Sequence, residues 1–459
     1  MSSDISEGET CRKRLKTSKQ DKKKAVMIRS SMPDLVIDRI LALLPTKAAV
    51  HKSFISKQWE GSWSLSPVLD FDECAKIDED DIVIDKLVEH RNFINILQRY
   101  LKFREKDKTI QVLDRFRLHM TRYLVKDSSI VDKWLSFTHE KSVKEVDLSL
   151  ELGWHKFPDH EIGWYERVEK LYCISPVSLF HAKSITTLNL EFVRIQDTYT
   201  AKLRHARVLP SLKNMSLKSV CLDWQALGGL ILECPSIESL SLDSCCFEAG
   251  EIRFSSSSLK SLKVTHCDAR RIEVKEVVNL EYFTFFSELR LSSVTLGKCS
   301  NLKYISIHAQ CLKSLVLHGC HDSLEATIHA PGLVDCRFTG FLNSRLYLKD
   351  PNLRTCIICL QDHYNRKSHN FQALRNFLEA FDGPDNLNLY ISDFKVITFP
   401  QKFRETYLSP LPRLKQLMVY MSNIPTNEKD YSDLNDSLTW MMSSKKFHWT
   451  NAYYVTPLY

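Results

Sequence analysis

The sequence predicts an α/β chain: a small module of three short helices, followed by a curved solenoid, or horseshoe, of stacked repeats with strands along one face. Three observations carry that prediction. Residues 32–63 hold three short sets of apolar residues at helical spacing. An L-x-x-L-x-L run recurs between residues 141 and 420. The 459 residues are too many for one compact core and fit a small module joined to a repeat array.

The first segment, 1–29, is polar, lacks a hydrophobic period and is expected to be a disordered basic tail. Its charge is uneven. Residues 11–29 carry nine Lys/Arg against Asp21, a balance of +8, and residues 1–10 carry −3. The net charge of +7 therefore leaves +2 for the other 430 residues, so charge does not point to a nucleic-acid-binding body. The clusters Arg12, Lys13, Arg14, Lys16 and Lys22, Lys23, Lys24 have the form of a nuclear localisation signal, with a solvated tail as the alternative. No apolar signal region opens the chain, and no apolar run reaches the ~18 residues that span a bilayer, so no membrane partner is expected. Fourteen cysteines without an export signal read as reduced thiols in nucleus or cytoplasm.

In the module, Pro33 and Asp34 suit a helix N-terminus. Ile37, Ile40, Leu41 and Leu44 then fall at i, i+3, i+4 and i+7. Pro45 stops that helix, and Thr46 can cap a second that carries Val50 and Phe54. Ser56 can cap a third, with Trp59 and Trp63 four apart. Three such helices cannot bury all these groups among themselves, so some must face a partner or the rest of the chain.

The stretch Met32-Pro33-Asp34…Ile40-Leu41…Leu44-Pro45-Thr46-Lys47…Ser56-Lys57-Gln58-Trp59…Trp63 resembles the F-box of plant F-box/leucine-rich-repeat proteins, without a gap over 32–63. Leu69-Asp70-Phe71-Asp72 resembles the segment that follows it, which sets the F-box region at 30–75. Met32 stands for the usual Leu, and Gln58 for the usual Arg. The resemblance implies that Met32, Pro33, Ile37, Ile40, Leu41, Leu44, Pro45, Val50, Trp59 and Trp63 bind a Skp-family adaptor, and through it cullin and RING subunits.

Residues 76–140 read as a mainly helical linker: Ile94, Leu97 and Leu101 share a face, and Ser128 or Ser129 can cap Ile130–Leu135. The repeats follow, as Ile185/Leu188/Leu190, Leu212/Met215/Leu217, Ile237/Leu240/Leu242, Leu259/Leu262/Val264 and Leu280/Phe283/Phe285. Further copies are Leu312/Leu315/Leu317, Leu333/Cys336/Phe338 and Leu353/Cys356/Ile358, with fainter ones at Val143 and Leu414. Two hexads, Ile307–Leu312 and Ile328–Leu333, share I-H-A-x-x-L. This is the leucine-rich-repeat pattern, and Cys245, Cys267 and Cys320 sit at its N/C position as expected buried residues. Between Leu280 and Leu312 the register breaks, and Leu302/Ile305/Ile307 forms an extra copy that a strand on the convex side would explain. Residues 421–459 read as a C-terminal cap.

No catalytic residue and no cofactor is assigned: no Gly-rich phosphate motif, no H-E-x-x-H and no G-x-S-x-G occurs. Cys356-x-x-Cys359 lacks a second pair and reads as a strand, not a metal site. In L-x-x-L-x-L the residues between the apolar positions face outward. That places Tyr282, Phe286, His318 and Arg337 on an outer face as candidate contacts to a target protein, whereas a one-residue shift of register would turn both rings inward. The expected role is a non-catalytic substrate adaptor of a Skp–cullin–F-box ubiquitin ligase. The alternative is a leucine-rich-repeat interaction scaffold without ubiquitin transfer.

Overall fold

Coil length decides what each repeat can build. A ten-residue helix and a five-residue strand both cover about 15–17 Å, because a helix rises ~1.5 Å per residue and a strand ~3.3 Å. Long coils can therefore return through a helix, and short coils only through a second strand. The computed structural model follows this rule. It describes residues 33, 36–37, 39–40, 43–44, 46, 48–49, 66–74, 86–106, 112–152, 168–174, 182–195, 209–222, 224–247, 250–349, 352–361, 370–444 and 446–451. The chain forms two compact units, Met1–Ser66 and Pro67–Tyr459.

In the larger unit, one parallel sheet of eleven strands runs in chain order. Its strands are Val68–Asp72, Arg115–Tyr123, Glu145–Leu152, Thr187–Glu191, Asn214–Lys218, Ser239–Asp243, Ser261–Thr265, Tyr282–Ser287, Tyr304–Ala309, Glu325–His329 and Arg345–Lys349. Between the strands Ser239–Asp243 and Ser261–Thr265 a second parallel sheet begins. Its nine strands are Glu251–Phe254, Arg271–Lys275, Ser293–Gly297, Ser314–His318, Asp335–Phe341, Thr355–Gln361, Asn386–Asp393, Gln416–Asn423 and Phe447–Asn451. A small third sheet of four short strands serves the earlier coils. Where coils are long, helices fill the return: α1 (Lys86–Lys106), α2 (Ser128–Glu140), α3 (Trp224–Glu233), α4 (Phe371–Glu379), α5 (Gln401–Thr406) and α6 (Glu428–Met441). Asn370 and Asn427 cap α4 and α6, each side chain accepting a backbone N–H at 3.0 and 2.9 Å.

Alternation along every strand sends one set of residues into a single core. Leu240, Leu242, Leu262, Val264, Phe283, Phe285, Ile305 and Ile307 enter from the first sheet, and Ile272, Val274, Val294, Leu296, Leu315 and Leu317 from the second. Trp134 of α2 stacks on Phe116 at 5.5 Å and touches Phe71 at 5.0 Å, sealing the N-terminal end. Just past several strands a residue takes a left-handed backbone: Ser219, Ser244, His266, Glu276, Lys298 and Gly319. The N–H of each donates to a carbonyl one coil further on, as Ser219 does to Asp243 at 2.8 Å and His266 to Phe286 at 2.8 Å. The turn thus extends the ladder between coils.

Two sequence expectations are corrected, and two of the expected segments gain strands. Leu302/Ile305/Ile307 is no convex addition: its strand pairs in register with Tyr282–Ser287 and continues the first sheet. The copies at Leu312, Leu333 and Leu353 instead feed the second sheet, because a coil of about twenty-one residues holds a strand on each side, and the copy at Leu414 extends that sheet beyond the last strand of the first. The linker 76–140 holds a strand between its helices Lys86–Lys106 and Ser128–Glu140: Arg115–Tyr123 lies in the first sheet, paired with Val68–Asp72 from the end of the range assigned to the F-box. At the other end, Phe447–Asn451 joins the second sheet, so strands continue into the proposed cap.

In the smaller unit, Ile37 is buried with Ala49, and Leu44 packs on them. Thr46 is buried as well.

Candidate functional site

A stack of parallel strands presents its outward residues as straight rows, one residue per coil, about 4.8 Å apart. The register of the first sheet defines three such rows over its last five strands. The first is Ser261, Tyr282, Tyr304, Glu325, Arg345. The middle row is Lys263, Thr284, Ser306, Thr327, Tyr347, and the third is Thr265, Phe286, His308, His329, Lys349.

Rings dominate the two outer rows. Tyr282 and Tyr304 stack at 5.1 Å, nearly parallel at 9°. Phe286 stacks on His308 at 4.9 Å and meets the edge of His266 at 5.0 Å. His308 and His329 bring their Nδ1 atoms to 3.0 Å, which requires one to donate and the other to accept. Tyr282, Tyr304 and Tyr347 are 47%, 46% and 59% exposed. Next in the line, Asp243 accepts hydrogen bonds from Thr265 at 2.8 Å and His266 at 3.2 Å. Burial pushes the Asp243 carboxyl up, but those hydrogen bonds prevail and leave it below the usual carboxylate range.

The N-terminal end of the same sheet is different, because its charges are matched internally. Arg117 reaches Asp70 at 3.4 Å, Asp72 at 3.3 Å and Asp147 at 3.8 Å, and Lys218 pairs with Glu191 at 2.7 Å. Behind it, His90 of α1 is 3% exposed and lies 2.9 Å from both Glu73 and Asp127. Burial alone would lower the His90 pKa; hydrogen bonds and charge from Asp127 and Glu73 outweigh it and raise it to about 9. Glu73, also pushed up by burial, is held below its ordinary value by His90, the Thr121 N–H and Arg122. This cluster clamps α1 to the sheet.

Tyr282 and Phe286 do face outward, with Phe283 and Phe285 in the core. His318 and Arg337 do not share their face: they lie on Ser314–His318 and Asp335–Phe341 of the second sheet. The candidate group therefore splits, for the same reason that the repeat register slipped. On the second sheet Arg337 stands in an outward row with Val316 and Ile357, and in the next row Tyr390 and Tyr420 stack at 4.4 Å. Cys356 is buried while Cys359 faces out, so the C-x-x-C pair points to opposite sides of its strand. Sequence reasoning missed Tyr304, His308, His329 and Tyr347, all legible by alternation once their strands are given to the first sheet.

Among the adaptor-binding candidates, Pro33 is exposed, Ile40 half-buried, Leu44 packed and Ile37 only 1% exposed. Val36 and Leu43, not singled out from the sequence, are exposed apolar side chains, at 43% and 82%. Met32, Leu41, Pro45, Val50, Trp59, Trp63 and the basic cluster 12–24 lie outside the described residues.

Parallel strands in register, about one coil per twenty-odd residues, and an outward face of polar and aromatic rows define a leucine-rich-repeat protein. A family model described as the LRR repeats of the FBD-associated F-box protein At5g56370 matches residues 131–321. Relatives from Arabidopsis thaliana include the F-box/LRR-repeat protein At3g58930, 24% identical over 241 residues, 52% of this chain and 46% of that one. Another is the putative FBD-associated F-box protein At5g22720, 26% identical over 310 residues, 64% and 58%. A third is the putative F-box/LRR-repeat protein At3g18150, 27% identical over 320 residues, 67% and 56%. The chain spans about half the length of the curated relatives it matches. The chain is thus similar to plant F-box/leucine-rich-repeat proteins, most directly through its repeats.

Proposed function

We propose that this chain is the substrate-recognition subunit of a Skp–cullin–F-box ubiquitin ligase. In this reading residues 32–63 dock on a Skp-family adaptor, which links to cullin and RING subunits, and the outward face of the first sheet holds the target protein. The mechanism is proximity. Holding target and ubiquitin-conjugating enzyme on one assembly raises the effective concentration of target lysines and needs no catalytic group here. The single observation that supports the reading most is the row of exposed rings on a family-typical repeat sheet, since aromatic side chains dominate binding energy at interfaces.

The adaptor half is tested at Trp59, which matches an anchor of the F-box pattern. Trp59→Ala is expected to weaken binding of a Skp-family adaptor by roughly 2 kcal/mol, about thirtyfold, in isothermal titration. Unchanged affinity in a folded variant sinks the assignment. An interaction scaffold without ubiquitin transfer would bind a target yet ignore the adaptor.

The proposed location is nucleus and cytoplasm, with residues 12–24 driving import. Deleting 11–29 is expected to shift a fluorescent fusion towards the cytoplasm without changing adaptor affinity; an unaltered distribution leaves the tail a solvated extension.

A further inference from the structure

The three outward rows of the last five first-sheet strands differ in size. The middle row has Thr284, Ser306 and Thr327 as its floor, and Ser306 and Thr327 are exposed. Rings rise on both sides: Tyr282 and Tyr304 in one row, Phe286, His308 and His329 in the other. The result is a trough that crosses the strands. Its ends are cationic. Lys263 stands at one end of the floor, and Lys349 beside Tyr347 at the other, both exposed. Neither has a carboxylate within ion-pair distance among the described residues, whereas Lys260, Lys218, Lys298 and Arg345 all do.

From this we infer that the trough binds an extended peptide segment of the target, with acidic residues near both ends and an apolar or aromatic residue between. The inference rests on the target-binding reading above. Length follows from the strands: four steps of about 4.8 Å make about 19 Å, which an extended chain covers in about six residues. The extended form follows from the floor, because hydroxyl groups can pair with the free N–H and C=O groups of an extended backbone, which a helix uses internally. The acidic ends follow from the exposed Lys263 and Lys349, and the central apolar residue from the ring walls.

The test is selection of random dodecamer peptides displayed on phage, against the full-length chain. The expected result is enrichment of sequences with Asp or Glu pairs five to seven residues apart around an apolar residue. The synthetic consensus peptide should bind at least tenfold more weakly to the Lys263→Glu, Lys349→Glu double variant, and not at all to Ser306→Trp, which fills the floor. Both changes are at exposed positions, and an unchanged melting temperature verifies the fold. No enrichment, enrichment without the spaced acidic pair, or a consensus whose binding survives both variants overturns the inference. Capture of a Skp-family adaptor by the same preparations is read separately. Lost adaptor capture with peptide binding intact counts against the ligase role alone, and the converse against the trough alone.

Discussion

His90 shows what a single buried ion can do. It is closed off from solvent between Glu73 and Asp127, and Glu73 also accepts the Thr121 N–H at 2.7 Å and the Arg122 N–H at 3.1 Å. Replacing it by Leu removes the imidazolium between two buried carboxylates and leaves Glu73 only Arg122, at 3.4 Å, a change expected to cost roughly 3–5 kcal/mol in chemical denaturation. The pH dependence has a definite sign. The folded pKa of about 9 lies above the ordinary 6.5, so the folded state holds the proton more tightly. The stability it contributes is complete below about pH 6.5 and lost as pH rises through about 9. Glu73, with its lowered pKa, contributes above its ordinary 4.5 and loses that contribution as pH falls through its folded value. Stability should therefore fall between pH 6.5 and 9 in the wild type, and this slope should flatten in His90→Leu. None of this was legible in the sequence, because the partners lie 17 and 37 residues from His90 and no local spacing joins them.

At the scale of the strand, the two I-H-A-x-x-L hexads have a physical explanation. Ile307 pairs with Ile328 and His308 with His329 at the end of neighbouring first-sheet strands. The chain then turns through buried Ala309 or Ala330 to Leu312 or Leu333, which open the next second-sheet strands. In the second hexad the turn needs Gly332, since a Cβ there would sit 2.7 Å from the Gln310 carbonyl oxygen of the previous coil. Gly332→Ala is expected to cost about 1–3 kcal/mol by denaturant titration, whereas Gly383→Ala, with open space at its Cβ, should change little. Equal effects at both positions would contradict this packing. The hexads also show how far pattern reading reached. Inward positions of both sheets look alike in sequence, as apolar residues two apart, so Phe283/Phe285 and Leu315/Leu317 form one series by pattern alone. Alternation placed Tyr282 and Phe286 correctly outward within their strand. It could not say that Arg337 belongs to the other sheet, because that depends on coil length and on which side the chain returns.

Over the whole molecule, the solenoid supplies long outward rows, and its two ends use them differently. The N-terminal rows satisfy their charges internally, as Arg117 does with Asp70, Asp72 and Asp147. The C-terminal rows keep exposed rings, and their Lys263 and Lys349 have no carboxylate within ion-pair distance among the described residues. That division separates a charge-matched part from a ring-rich part within one sheet, and in the proposed function adaptor binding falls to residues 32–63, within the unit before Pro67. In the proposed function, this chain joins a ligase through residues 32–63 and holds its target elsewhere. The most direct measurement is quantitative co-purification of Skp-family adaptor, cullin and RING subunits with the intact chain and with a variant lacking 32–63. The intact chain is expected to recover all three and the shortened chain none, while the trough variant Ser306→Trp recovers them undiminished. Recovery of the three subunits by the chain lacking 32–63, or their absence from the intact chain, would contradict it.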